Sequence, residues 1–341
     1  VPRPRPPPPS RAARSAVPYP RDRVPWAYTG RVRALFIVNP QATTTTSRTR
    51  EVILGALASE LDVTVAETEY RDHAIELSRK AATDGYELVV SLGGDGTVNE
   101  VVNGLLATPP ELKRPRYAVI PGGSANVFIR ALGVSGDPVE ATGTILEALR
   151  AGREREINLG RITSDRDDRY FTFCAGFGWD ADVVQRVENE RSNGRKATPA
   201  LYAEVAFKLF FGGDIRDPSL AVQTRGGGVN DVYFALVTNT TPWTYAGALP
   251  LQPTAASRFE LGLDAFALTQ AGHALTGWIL SQMFFPKGLP AQGDGYLTWH
   301  DQETLRITSS HPRAFQIDGE YLGEREEVNF HSVPKALRIV C

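Results

Sequence analysis

The chain of 341 residues is long enough for two average domains, and 42% hydrophobic with 22% charged residues is an ordinary globular mixture that can build real cores. A formal net charge of −2 argues against a nucleic-acid partner. Two cysteines, Cys174 and Cys341, lack metal-ligand spacing, which argues against a disulfide scaffold or a zinc site and suits a reducing cytoplasm.

Residues 1–30 are a separate material, crowded with proline and arginine (Pro6-Pro7-Pro8-Pro9, with Arg3, Arg5, Arg11, Arg14, Arg21 and Arg23). Such a run cannot bury apolar surface and is expected to be disordered or extended. It has no apolar centre of the secretory kind. It reads either as a loose extension or as a basic arm that holds the chain near anionic lipid.

From Arg33 onward short apolar runs alternate with helical patterns. Strands are predicted at 34–38, 63–66, 88–92 and 117–120, with helices at about 48–59 and 72–84. Strands without a polar face, each followed by a helix, define a doubly wound parallel α/β domain over 31–154, which binds ligands at the carboxyl ends of its strands. After Arg155 the apolar runs 170–175, 232–239, 258–268, 304–308 and 337–340 are separated by Gly, Pro and Asp turns. This texture predicts an antiparallel, β-sandwich-like domain over 155–341, with the active site in the cleft between the two. Residues 265–286 contain no charged side chain, a length near the roughly 20 residues of a spanning helix. Interrupting Thr, Gln, His, Ser and Gly residues favour a strand ending near Thr269 followed by a half-buried helix.

The strongest local feature is Ser91-Leu92-Gly93-Gly94-Asp95-Gly96-Thr97, a buried strand running through glycines into a helix. That helix carries Val98, Val101, Val102, Leu105 and Leu106 on one face. Glycines let backbone amides approach an anion, and the helix N-terminus adds partial positive charge. Thr97 reads as an N-cap or as a phosphate-contacting hydroxyl. Asp95 is out of place beside a phosphate unless a cation lies between them or a proton must be accepted, and phosphoryl transfer needs both. The competing reading is a plain tight turn. A second glycine loop, Pro121-Gly122-Gly123-Ser124-Ala125-Asn126, leads into a helix stopped at Gly133; there Ser124 reads equally as a nucleotide ligand or a helix cap. No Walker A, protein-kinase or GxGxxG pattern occurs, and the five histidines have neither ligand nor triad spacing.

The run from Gly93 through Asp95 and Asn99 to Leu105 resembles the signature of the diacylglycerol kinase and sphingosine kinase catalytic-domain family. Asn39-Pro40, the segment 68–74, the loop 121–126, the segment 175–181, the segment 239–253 and Ile317-Asp318-Gly319-Glu320 extend the resemblance over about 33–341. The resemblance implies an ATP-dependent lipid kinase of the soluble bacterial type, converting diacylglycerol to phosphatidic acid with Mg²⁺. It implies ATP contacts from Asn39, Thr43, Thr68, Gly94, Asp95, Gly96, Thr97, Asn99 and Ser124. Asp95 becomes the essential acid, on Mg²⁺ or on the acceptor hydroxyl, and Glu320 a general base or second electrostatic partner across the cleft. Asp180 and Asp182 fall where acidic residues lie near the lipid headgroup in relatives. Arg191, Arg195 and Lys196 read as phosphate contacts or as a solvated helix face. Read locally, residues 315–322 form a hairpin with an Asp-Gly turn.

Two departures stand out. The second glycine loop has Ser124 and Asn126-Val127 where bacterial members often carry Thr and Asn-Asp. Ser257-Arg258-Phe259-Glu260 replaces an Asp-Asp-Gly stretch that holds a structural Mg²⁺ in relatives, so no such site is expected. The implied setting is cytoplasmic, with peripheral association to a membrane that presents the lipid; a homodimer is left open. A kinase of a sphingoid base or of a soluble alcohol, and a catalytically weak nucleotide- or lipid-binding regulator, are the alternatives.

Overall fold

The computed structural model describes residues 30–42, 45–195, 198–212, 217–247, 249–285 and 289–341. The basic arm up to residue 29, Thr43 and Lys196 lie outside the described residues. Residues 32–341 make one compact unit.

Its first half is built on four parallel strands: β1 (Arg33–Val38), β2 (Asp62–Glu67), β3 (Leu88–Gly93) and β4 (Arg116–Pro121). They lie in the order β2-β1-β3-β4. Alternate residues of each strand feed opposite cores, which is why the strands read as unbroken apolar runs. Ala34, Phe36, Val38, Leu88, Val90 and Leu92 face one side, where α1 (Ser47–Glu60) brings Ile53 and Leu57 and α5 (Pro138–Ala151) brings Ile145 and Ala148. Leu35, Ile37, Val89, Tyr117 and Val119 face the other, against α2 (His73–Ala81) and α3 (Asp95–Leu106). Gly104 lets α2 and α3 close together, since a Cβ there would lie 2.4 Å from the Ile75 carbonyl oxygen. The short helix α4 (Val127–Ala131) follows β4.

The second half is antiparallel. β7 (Cys174–Gly178), β10 (Phe234–Thr238), β13 (Leu263–Leu268) and β15 (Tyr296–Gln302) form consecutive neighbours. The hairpin of β16 (Thr304–Ile317) and β17 (Glu320–Ile339) joins them to β5 (Arg155–Thr163), with β6 (Asp168–Phe171), and to β8 (Leu220–Thr224), with β9 (Gly227–Val232). Facing residues of these strands, among them Phe171, Phe177, Val222, Val237, Phe315 and Phe330, enclose a second core, as a sandwich does.

The expected boundary at 154 falls between α5 and β5, but the sheet does not stop there. Ile339 at the end of β17 pairs in parallel with Tyr117 of β4, and the Val340 amide donates to the Tyr117 carbonyl at 2.8 Å. One 15-stranded sheet therefore runs through both halves of the described residues. The uncharged stretch resolves into β13 and the ten-residue α8 (His273–Gln282), as its interruptions predict. No helix among the described residues is long and apolar enough to cross a membrane.

Candidate active site

The strand order reverses between β1 and β3, and in such sheets the crevice at the carboxyl ends of those strands is the natural ligand site. Three loops meet there. The Asn39 amide donates to the Leu92 carbonyl at 3.0 Å, and the Gly122 amide donates to the Gly93 carbonyl at 2.8 Å. A Cβ on Gly123 would sit 2.6 Å from the Gly94 Cα, so the two glycine loops touch backbone to backbone and tolerate no side chain between them. Gly96 is different: a Cβ there would meet nothing within 4 Å. α3 has Gly94 as its N-cap and no side-chain cap, so its first amides are free of a capping side chain next to that open flank.

Asp95 opens α3 but bonds elsewhere. Its carboxylate accepts from the Val127 and Phe128 amides, each at 3.1 Å, and so caps α4 from across the crevice. The N-cap position of α4 is held by Asn126, left-handed at φ 47, whose side chain turns back onto Gly123. The alternative reading of Ser124 as the cap is thus corrected; Ser124 is exposed on the loop. Burial pushes the Asp95 carboxyl up to about 6, against the pull of the two amides and of the nearby Arg130 guanidinium, with the Asp318 charge adding to the rise.

Thr97 is likewise not the cap of α3. It is buried in the first turn, where its hydroxyl accepts from the Asn39 carboxamide at 3.1 Å; Asn39 Oδ1 accepts from the Gln41 amide. Asn39 and Thr97 therefore brace the first two loops against each other. Thr68 follows β2 and extends the row of strand ends, its amide on the Val38 carbonyl.

Asn99, implied as a nucleotide contact, is 1% exposed and its carboxamide is saturated. Nδ2 donates to the Tyr170 carbonyl and to Asp318, while Oδ1 accepts from Arg169 and Asn103. Its visible role is to tie α3 to the β-rich half. The hairpin turn Asp318-Gly319 has φ values of 48 and 80, the left-handed pair of a two-residue turn. Asp318 is buried in a nest of the Thr172, Phe173 and Cys174 amides, with the Thr172 hydroxyl and Asn99 completing five donors. Sequence reading treated Asp318 only as a turn residue; a buried carboxylate in this role leaves no local signal.

Glu320 follows the turn. One oxygen is paired with Arg71 and the other lies 3.1 Å from Arg169 Nη2. Arg71 stands three residues past Thr68, so the pair closes the hairpin tip onto the loop after β2. With both oxygens on guanidinium groups, the arrangement favours an electrostatic partner over a free base.

Asp180 and Asp182 open α6 (Trp179–Ser192). Asp180 is buried, accepts from Gln316 Nε2 at 2.6 Å, and is pushed up to about 7 by burial. Gly176 makes room for it, since a Cβ there would lie 1.8 Å from Oδ2. Asp182 is more accessible and lies 3.9 Å from Arg313. Arg191 lies near the end of α6; Arg195 pairs with Glu190 and Glu204, a solvated helix face rather than a free cationic one. Arg130 of α4, whose guanidinium stacks 3.3 Å from the Tyr245 ring centroid, is a cationic group beside Asp95 that sequence reading did not single out.

Residues 33–162 match the family model of the diacylglycerol kinase catalytic domain. A diacylglycerol kinase of Staphylococcus carnosus (strain TM300) is 34% identical over 128 residues, 38% of each chain. A diacylglycerol kinase of Bacillus subtilis (strain 168) is 38% identical over 106 residues, 31% of each. A Chromohalobacter salexigens protein named "Probable lipid kinase YegS-like" is 37% identical over 110 residues, 32% of each. These alignments span about a third of the relatives' length. Over the whole fold, the crystal structure of a diacylglycerol kinase from Bacillus anthracis str. Sterne superposes with TM-score 0.64 at 18% identity, covering 91% of this chain and 96% of that one. A second chain from that organism reaches 0.71 at 21% identity, covering 91% and 96%. The α/β half followed by a β-rich half is the architecture of these neighbours.

Proposed function

We propose that this chain transfers the γ-phosphoryl group of ATP to a lipid hydroxyl, with diacylglycerol as the first candidate acceptor and phosphatidic acid as the product. The observation that carries the proposal is Asp95. It is a carboxylate set between two glycine loops at the strand-order switch, held by two backbone amides, with its pKa raised to about 6. At neutral pH such a group is mostly ionised, yet basic enough to take a proton.

ATP is the co-substrate that the diacylglycerol kinase domain implies. Its phosphates would lie along the open flank of Gly96 and the uncapped first turn of α3. The acceptor oxygen attacks the γ-phosphorus, its proton passes to Asp95, and the bond to the ADP oxygen breaks. Asn39 and Thr97 hold the loops, and Ser124 and Thr68 offer hydroxyls at their rim. Among the described residues no group of three or more His, Cys, Asp or Glu is gathered for a metal. A Mg²⁺ carried by the ATP phosphates needs only one or two carboxylates, and Asp95, with lone pairs left beyond its two amide bonds, fits that demand. Mg²⁺ bound there would neutralise phosphoryl oxygens. Asp182, the more accessible of the α6 pair, is the residue we place toward the acceptor headgroup.

A second reading is a nucleotide- or lipid-binding protein without turnover, favoured by the capping duty of Asp95. Incubation with labelled ATP, Mg²⁺ and a panel of diacylglycerol, sphingoid bases and soluble alcohols separates the readings. Label in a diacylglycerol product supports the proposal; ATP binding without transfer to any acceptor supports the second reading.

A further inference from the structure

α7 (Pro199–Gly212) is apolar on more than one side. Leu201, Val205 and Leu209, at i, i+4 and i+8, are buried in the core. Phe207 and Phe211 point outward instead, 64% and 54% exposed, with ring centroids 4.5 Å apart. α8 turns Thr276 and Ile279 inward and leaves Trp278 65% exposed. Beyond α8, Phe284 and Phe285 are exposed as well.

The two helices are neighbours. Phe211 stacks on His273 at the start of α8, with centroids 5.2 Å apart. The ribbon of β11 (Thr244–Ala246) and β12 (Leu249–Leu251), in which Leu249 is exposed, is tied to α8: the Gln252 amide just after it donates to the Met283 carbonyl just after the helix. The ribbon also leads inward. Tyr245 lies under the Arg130 guanidinium, whose charge acts on Asp95. The ribbon thus links the elements that carry the exposed apolar side chains to the rim of the proposed active site.

From this arrangement we infer that α7, the β11–β12 ribbon and α8 form a docking surface for a lipid bilayer, set so that a lipid headgroup meets the Asp95 crevice. The inference rests on the lipid-kinase reading for its purpose, but the surface itself is independent of catalysis. Its chemistry fits an interface of headgroups and acyl chains. Exposed Trp and Phe are the residues that settle at that depth, and short helices lying flat insert only their outer side chains. No charged residue occurs from 265 to 286 to resist burial. On α7 the carboxylate of Glu204 is already matched by Arg195 and Lys208, which leaves no uncompensated anion to repel phosphate headgroups.

Co-sedimentation of the full chain with phosphatidylcholine vesicles, without ATP, tests this. Zwitterionic lipid is chosen so that the Arg-rich residues 1–30 contribute little. The chain is expected to pellet with vesicles, and the double substitution Phe207→Ser/Trp278→Ser to weaken partitioning by roughly tenfold or more. Phe285→Ser, outside both helices, is expected to weaken it in the same direction. Circular dichroism and ATP binding should be unchanged in all variants. Failure of the wild type to pellet, or undiminished pelleting of the variants, overturns the inference. So does concentration-dependent dimerisation abolished by the same substitutions, which would assign the surface to a second copy of the chain. Vesicle binding with no phosphoryl transfer would leave the docking surface standing and count against the kinase reading alone.

Discussion

Asp318 Oδ2 accepts a 2.7 Å hydrogen bond from Asn99 Nδ2, joining the tip of the β16–β17 hairpin to the helix that follows the first glycine loop. The contact spans the two halves of the chain and is buried on both sides. It sets where Glu320 stands relative to Asp95, because Glu320 lies two residues along the same turn.

Removing the Asp318 carboxylate leaves the Thr172, Phe173 and Cys174 amides and Asn99 without their acceptor. Asp318→Ala is expected to lower stability by about 3–5 kcal/mol, measured by urea denaturation. Glu320→Gln removes an ion pair at the edge of the network and should cost about 1 kcal/mol or less.

The glycines of the crevice separate into two kinds. Gly123→Ala places a Cβ 2.6 Å from the Gly94 backbone and must push the loops apart. It should lower both the melting temperature and ATP affinity. Gly96→Ala meets open space, so the fold should be preserved to within about 0.5 kcal/mol. If phosphate passes along that flank, the methyl group should still weaken ATP binding, read by calorimetric titration.

Asp180 supplies a pH effect on stability rather than on chemistry. Its carboxyl is about 7 in the fold, against 3.8 for the ordinary side chain. Between those values the folded state holds more protons than the unfolded one, so stability falls as pH rises through that window and levels off above it. Asp180→Asn keeps an acceptor for Gln316 and removes the titrating charge. It should raise stability at pH 8 by about 1–3 kcal/mol and flatten the slope between pH 4 and 7, measured by denaturation across pH.

Much of this was readable from the residues. The four parallel strands and α1 to α4 lie within a few residues of their predicted places, because apolar runs and 3.6-residue periodicity are local signals. α5 carries equally local signals, beyond the predicted elements: Asp137 caps it, Pro138 opens it and Gly152 closes it in the left-handed conformation. The return of β17 to β4 was not readable, since parallel pairing 222 residues apart leaves no local trace. Nor were the partners of the glycine-loop helix. Asp95 caps α4, Glu100 accepts the Ala74 amide and so caps α2, and Asn99 and Asn103 both hold the Tyr170 carbonyl. Sequence shows these as polar residues on one helix and suggests ligand contacts; only the packed chain reveals that they also fasten their neighbours.

Dependence on Asp95 should also appear in the pH profile. A base that must be ionised predicts kcat/KM falling with unit slope below about pH 6 and level above it. A flat profile from pH 5 to 8 would place the proton elsewhere.

The most direct test of the account is transfer of labelled phosphate from ATP to diacylglycerol by the wild type and by Asp95→Asn. Asparagine keeps an oxygen for one of the Val127 and Phe128 amides and loses the other, so the exchange should cost about 1–3 kcal/mol of stability while the fold survives. The wild type is expected to give a phosphorylated lipid product and the variant to lose roughly 10²–10⁴-fold in activity while still folded, with a melting temperature lowered by only a few degrees. Full activity in Asp95→Asn, or no transfer to any lipid by the wild type, would contradict the account.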